Sequence, residues 1–287
     1  GKAFATAKRA PRVVANHAGD AKIWATDMLA LGTGARVGVV SIKQFPFHED
    51  PIWSSFDEAI RATLKHEAVI VDLRGNDGGD DTRGYQLARA LIDGEVVDGP
   101  LRMHERQTPE TLTLWMNTVS AQRGDDGTLA PHVLARLNEA KAARDAALHA
   151  GNEWKVTESP KRVVELGPHA FTGPIAILVD AGCKSSCESS LVVLRGHPKA
   201  RVFGERTGGY IHFGNIGRVT LARSHVRVNI PTKYDEFPGG KLYDKIGFEP
   251  DVALPPGSDA FAVALEWIRG SLGGSAPGDP RPSSPPP

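Results

Sequence analysis

The sequence predicts an α/β fold built on a parallel sheet, and three observations carry that prediction. Short apolar runs of strand length alternate with stretches whose apolar residues recur at helical spacing. Two of the runs, 68–73 and 174–180, are almost wholly apolar, as strands buried on both faces of a sheet are. Each of those two opens into a turn of small residues and then a helix-like segment, so both turns belong on the rim where α/β proteins bind ligands.

In chain order, residues 21–28 read as a strand ending at the turn Gly32-Thr33-Gly34, and 36–42 as a second strand. Two prolines exclude a regular element from 45–51. Residues 53–66 place Phe56, Ile60 and Leu64 four apart, the pattern of an amphipathic helix. The strand 68–73 is followed by the loop Arg74-Gly75-Asn76-Asp77-Gly78-Gly79-Asp80 and a helix over 82–92. Residues 101–165 are more polar; the predicted helices 108–119 and 130–150 make this a helical insertion, either a cap over the site or a surface decoration. A strand at 200–204 leads into Glu205-Arg206-Thr207-Gly208-Gly209-Tyr210; 218–221 and 225–230 alternate as an antiparallel pair, and a last helix covers 259–269.

The expected organisation is an N-terminal segment 1–35, a core 36–270 holding the insertion at about 101–165, and a Gly/Ser/Pro tail 271–287 expected to be disordered. Lys+Arg and Asp+Glu are equal at 34 each, which argues against gripping nucleic acid or an anionic membrane. No apolar run approaches the ~18 residues of a membrane span.

Chemistry concentrates at Gly182-Cys183-Lys184-Ser185-Ser186-Cys187-Glu188. A strand, a tight turn and a helix bring free backbone N–H groups to a helix N-terminus, where they favour negative charge. A serine there has what an acyl-transfer nucleophile needs; equally, Ser185 and Ser186 can serve as helix caps. The two cysteines of the chain, Cys183 and Cys187, are expected as small buried hydrophobes, with a bridge possible if one helical turn carries both. They lack the further neighbours of a zinc site, so no metal and no cofactor are expected.

Four blocks stand in order: Val71-Asp72-Leu73-Arg74-Gly75-Asn76-Asp77-Gly78-Gly79, Ser185-Ser186-Cys187-Glu188, Gly204-Glu205-Arg206-Thr207-Gly208-Gly209, and Gly247-Phe248-Glu249-Pro250-Asp251-Val252. Together they resemble the C-terminal processing (tail-specific) serine peptidases, over roughly 36–269. The resemblance implies a Clp protease/crotonase-like core with a mixed sheet and flanking helices. It implies a periplasmic or secreted serine endopeptidase acting on unfolded or C-terminal protein segments. The nucleophile falls on Ser185, and the oxyanion hole on the amides of Gly78, Gly79 and Ser186. The alternative is a catalytically impaired peptide-binding relative; an acyl-CoA enzyme of the crotonase type ranks below both.

The lysine of the family's Ser-Lys dyad aligns with Tyr210, a poor base near neutral pH. The branch similar to the tricorn core uses a histidine and an acid instead, and its acid aligns with Asp244. For the histidine, His48 ranks first, ahead of His17 and His212.

Overall fold

In the computed structural model, the residues described are 13–16, 22–94, 102–124, 126–150, 153–158 and 166–273. The central sheet has seven strands: β1 (Val13–Asn16), β2 (Lys22–Ala30), β3 (Arg36–Ile42), β4 (Ala68–Asp72), β7 (Ile175–Val179), β8 (Ala200–Gly204) and β11 (Val252–Ala253), in that spatial order. From β3 to β11 neighbouring strands are parallel, whereas β1 and β2 join antiparallel. The sheet is therefore mixed, and its parallel part is the part the apolar runs predict.

Both β4 and β7 are buried along their whole length. Alternate side chains feed two cores. Val69, Val71, Ile175 and Ile177 pack towards α1 (Phe56–Thr63), α2 (Thr82–Ile92) and α5 (Ser186–Leu194). Ile70, Ala176, Leu178 and Phe203 pack on the opposite face against Ala264 and Ile268 of α6 (Ala260–Leu272). A sheet covered on both faces selects the β-branched, near-continuous apolar strands seen here. α6 runs past the predicted end at 269 and into the segment expected to be disordered; the rest of that tail lies outside the described residues.

The region 101–165 corrects the sequence reading. It holds the two helices, α3 (Pro109–Ser120) and α4 (Pro131–Ala150), but strands β5 (Arg102–Gln107) and β6 (Glu153–Glu158) flank them. These strands join β9 (Phe213–Thr220) and β10 (Arg227–Glu236) in a second, four-stranded sheet ordered β6-β5-β10-β9. The insertion is thus half of an α/β layer completed by the β9–β10 hairpin, which follows β7, α5 and β8 in the chain. Val119, Val133 and Leu137 form a small core of their own between α3 and α4, with Phe47, Trp115 and Met116 packed on it.

Candidate active site

Two loops at the carboxyl ends of adjacent strands build the site. The loop after β4 is braced from within: Arg74 donates to both oxygens of Asp72 at 2.9 Å, and Lys43 Nζ lies 3.2 Å from the same carboxylate. Those cations hold the Asp72 carboxyl below its ordinary range, against the opposing effect of its own burial. Buried Asn76 donates to the Ile42 carbonyl, and its own backbone carbonyl accepts the Lys184 N–H. Asp180 accepts from Gly75 N–H and Gly182 N–H, at 2.8 and 2.9 Å. The two rim loops are therefore stitched to each other.

Glycine is required where they meet. Gly78 (φ +102°) and Gly79 (φ +133°) occupy backbone conformations that side chains rarely adopt. A Cβ on Gly78 would lie 2.9 Å from Ser185 Cβ, and one on Gly79 would overlap the Phe45 carbonyl at 1.8 Å. Gly78 thus packs against the serine turn, and Gly79 against the Phe45 backbone.

Ser185 stands at the N-terminus of α5 with φ +53° and ψ −121°, a strained conformation for a residue with a side chain. Glu188 holds the turn. Fully buried, it accepts from Ser185 N–H, Thr207 hydroxyl, Gly209 N–H and Tyr210 N–H. The Gly-Glu-x-Thr-Gly-Gly block thereby serves as a backbone buttress for the serine turn. Tyr210, in the dyad-lysine position, is tied by its backbone to Glu188 while its side chain is exposed.

Among the described residues, neither Gly79 N–H nor Ser186 N–H donates to a protein acceptor, whereas Gly78 N–H donates to Asn76 Oδ1 at 2.9 Å. Of the three amides the resemblance singles out, Gly78 N–H is thus engaged within its own loop. The Ser186 hydroxyl donates to the Gly79 carbonyl at 2.6 Å and locks the two segments together.

A cavity of about 270 Å³ opens beside Ser185 and Ser186; it is also lined by Gly79, His48, Asp80, Trp115, Arg136 and Lys233. Trp115 comes from α3 and Arg136 from α4, so the insertion contributes to the walls. His48 lies 2.9 Å through Nδ1 from Asp80 Oδ2, and Nε2 is 3.3 Å from Glu49. No hydrogen bond joins His48 to Ser185. Hydrogen bonds from Thr82 and His48 pull the Asp80 carboxyl down to about 2, overcoming the burial that acts in the opposite direction. Arg136 donates to Asp80 and to Glu49 at 3.2 and 3.0 Å. Donor atoms of His48, Glu49 and Asp80 come close enough together for one cation, but the Arg136 guanidinium already pairs with both carboxylates.

The other expected site residues fall elsewhere. Asp244 does not line the cavity; it accepts the backbone N–H of His212 at 2.9 Å, because the loop after β10 folds back along that segment. Buried His212 has both ring nitrogens engaged: Nδ1 faces the Asp235 carbonyl at 2.7 Å and Nε2 accepts the Tyr243 N–H at 2.9 Å. It belongs to the framework. His17 lies outside the described residues. Asp80, the acid that pairs with His48, sits immediately after the glycine pair; its sequence signal was that position, one residue beyond a conspicuous block.

The cysteines are buried, and the bridge that the sequence left open is formed. Cys183 and Cys187 are joined in a disulfide with Cα atoms 5.3 Å apart, spanning the serine. Cys183 lies in the turn and Cys187 in the first turn of the helix, which brings the Cα atoms within bridging range.

The sequence profile of peptidase family S41 matches residues 36–254. The chain belongs to peptidase family S41. Among solved structures it is similar to mature CPAF (20% identity, TM-score 0.54, 86% of this chain and 52% of that one). It is likewise similar to mature CPAF complexed with lactacystin (19% identity, TM-score 0.53, 86% and 53%). A photosystem II D1 C-terminal processing protease also matches, at 20% identity and TM-score 0.42, over 79% and 45%. At this identity the likeness shows the shared fold, and this S41 chain spans about half the length of the solved chains it matches. No curated protein matches it in sequence.

Proposed function

We propose that this chain is a serine endopeptidase that cleaves unfolded or C-terminal protein segments through an acyl-enzyme on Ser185. The observation that carries the reading is a strained serine on a helix N-terminus that lines one cavity with Gly79 and Ser186, whose amides donate to no acceptor among the described residues. Ser185 Oγ attacks the substrate carbonyl and its proton passes to His48. The developing oxyanion is stabilised by the two amides. His48 returns the proton to the leaving amine, and water then hydrolyses the ester by the reverse sequence. Asp80 fixes the imidazole through Nδ1, the role the acid plays in any serine–histidine–acid arrangement. His48 must turn Nε2 from Glu49 towards the serine for this to work, a tightening common between unliganded and substrate-bound enzymes.

A disulfide beside the nucleophile supports a periplasmic or secreted setting, where such bonds persist. The experiment is incubation with an unstructured protein substrate, together with labelling by an uncharged fluorophosphonate. Cleavage and labelling that Ser185→Ala lowers at least about a thousandfold are expected. The contact of His48 Nε2 with Glu49 favours a second reading, a peptide-binding relative that does not acylate; binding of the substrate without labelling would establish that one instead.

A further inference from the structure

Three carboxylates and three basic groups line the cavity at Ser185, and they are not evenly matched. Asp80 is served by His48 and Arg136, and Arg136 is shared with Glu49. That leaves Lys233 facing both Asp81 and Asp235: its Nζ is 2.9 Å from Asp235 Oδ2, and its charge also reaches Asp81. Asp235 is 4% exposed, and its Oδ1 has no hydrogen-bond partner among the described residues. A buried carboxylate oxygen without a donor is costly, and it calls for a ligand that brings one.

Position also matters. Asp235 is on β10 and Asp81 at the start of α2, so the second sheet and the central core supply one carboxylate each to the same cavity. The Ser189 hydroxyl, one helical turn along α5 from Ser185, is bonded to Asp81. The acidic corner is thus anchored to the nucleophile's own helix. Burial raises both carboxyls above their ordinary range, and an entering cation would reverse that effect.

We infer that Asp235, with Asp81, forms a specificity pocket for a cationic side chain, lysine or arginine, on the substrate residue whose carbonyl Ser185 attacks. The guanidinium or ammonium gives Oδ1 its donor and balances the second carboxylate that Lys233 leaves uncompensated. A neutral apolar side chain would leave the buried oxygen unpaired, and an acidic one would add a third negative charge. This inference rests on the peptidase reading and names the substrate class of that same site.

The test is a series of peptides identical except at that residue, which is arginine, lysine, leucine or glutamate, assayed for kcat/KM on the whole chain. The arginine and lysine peptides are expected to exceed leucine by about ten- to a hundredfold, with glutamate lowest. Asp235→Asn, which keeps the shape, should reduce the arginine-to-leucine ratio to about threefold or less. Competition by n-butylguanidinium against the leucine peptide gives a readout that needs no variant; inhibition is expected with the natural chain. Labelling of Ser185 with equal turnover of leucine and arginine peptides, or a ratio unmoved by Asp235→Asn, overturns the pocket assignment and leaves the peptidase reading standing. Absence of labelling and of all cleavage overturns both.

Discussion

Asp80 shows how one residue can couple site geometry to stability. Its carboxyl is held at about 2, against an ordinary 3.8, by hydrogen bonds from Thr82 and His48. A lowered carboxyl contributes stability that is present above the unfolded-state value and is lost as pH falls through the folded one. Its contribution, about 2 kcal/mol, should hold above pH ~4 and fade towards pH ~2. Urea denaturation of the natural chain and Asp80→Asn should therefore differ at pH 6 and converge near pH 2; a constant gap would show that the carboxylate's charge is not what matters. On the proposed mechanism, Asp80→Asn also lowers kcat by roughly a hundredfold, by releasing the imidazole from its orientation. His48→Ala should cost about 10² to 10⁴ in kcat without abolishing labelling of Ser185 by a reactive phosphonate.

At the scale of elements, the serine helix depends on two close contacts. α2 and α5 approach through Gly84, where a Cβ would meet Ser190 Oγ at 1.8 Å and Ser190 Cβ at 2.6 Å. Gly84→Ala should accordingly destabilise by about 2 to 3 kcal/mol in denaturant titrations, even though alanine is the better helix former. A neutral or stabilising result would mean that the helices can part freely. Glu188 is the second contact, since its carboxylate joins α5 to the turn after β8 through the Thr207, Gly209 and Tyr210 donors. Glu188→Ala leaves buried donors unpaired and should cost about 3 kcal/mol or more, with loss of labelling because the serine turn is no longer buttressed.

At the scale of the whole molecule, the disulfide and the second sheet set the conditions under which the site exists. The Cys183–Cys187 bridge closes a five-residue loop around Ser185. Loop-closure entropy for so short a ring is about 2 kcal/mol, so denaturation midpoints with and without a reductant should differ by that amount; no difference would mean the bond constrains nothing. The second sheet brings Arg136, Lys233 and Asp235 to a cavity whose chemistry starts on the first sheet.

The parallel strands, α2 and the serine turn are legible in the chain because their signals are local. An apolar run such as Ala68–Asp72 is dictated by burial on both faces, and the paired glycines by backbone clashes with near neighbours. β5 and β6 were not legible, since RMHERQ and EWKVTE carry polar residues and one or two apolar ones. They become strands because β5 pairs with β10, His104 opposite Tyr234, across about 130 residues of chain. Tertiary pairing alone supplies those hydrogen bonds. The same cause hides the neighbours of Ser185: the serine stands out by its own turn, whereas that Asp80 and His48, and not Asp244 and His212, line its cavity required knowing which loops fold onto the same rim. Residue type and short-range pattern determined the fold's core and singled out Ser185. Only packing between distant segments decided which acid, which base and which charges surround it, because a side chain's role there is fixed by neighbours that the linear order does not hold together.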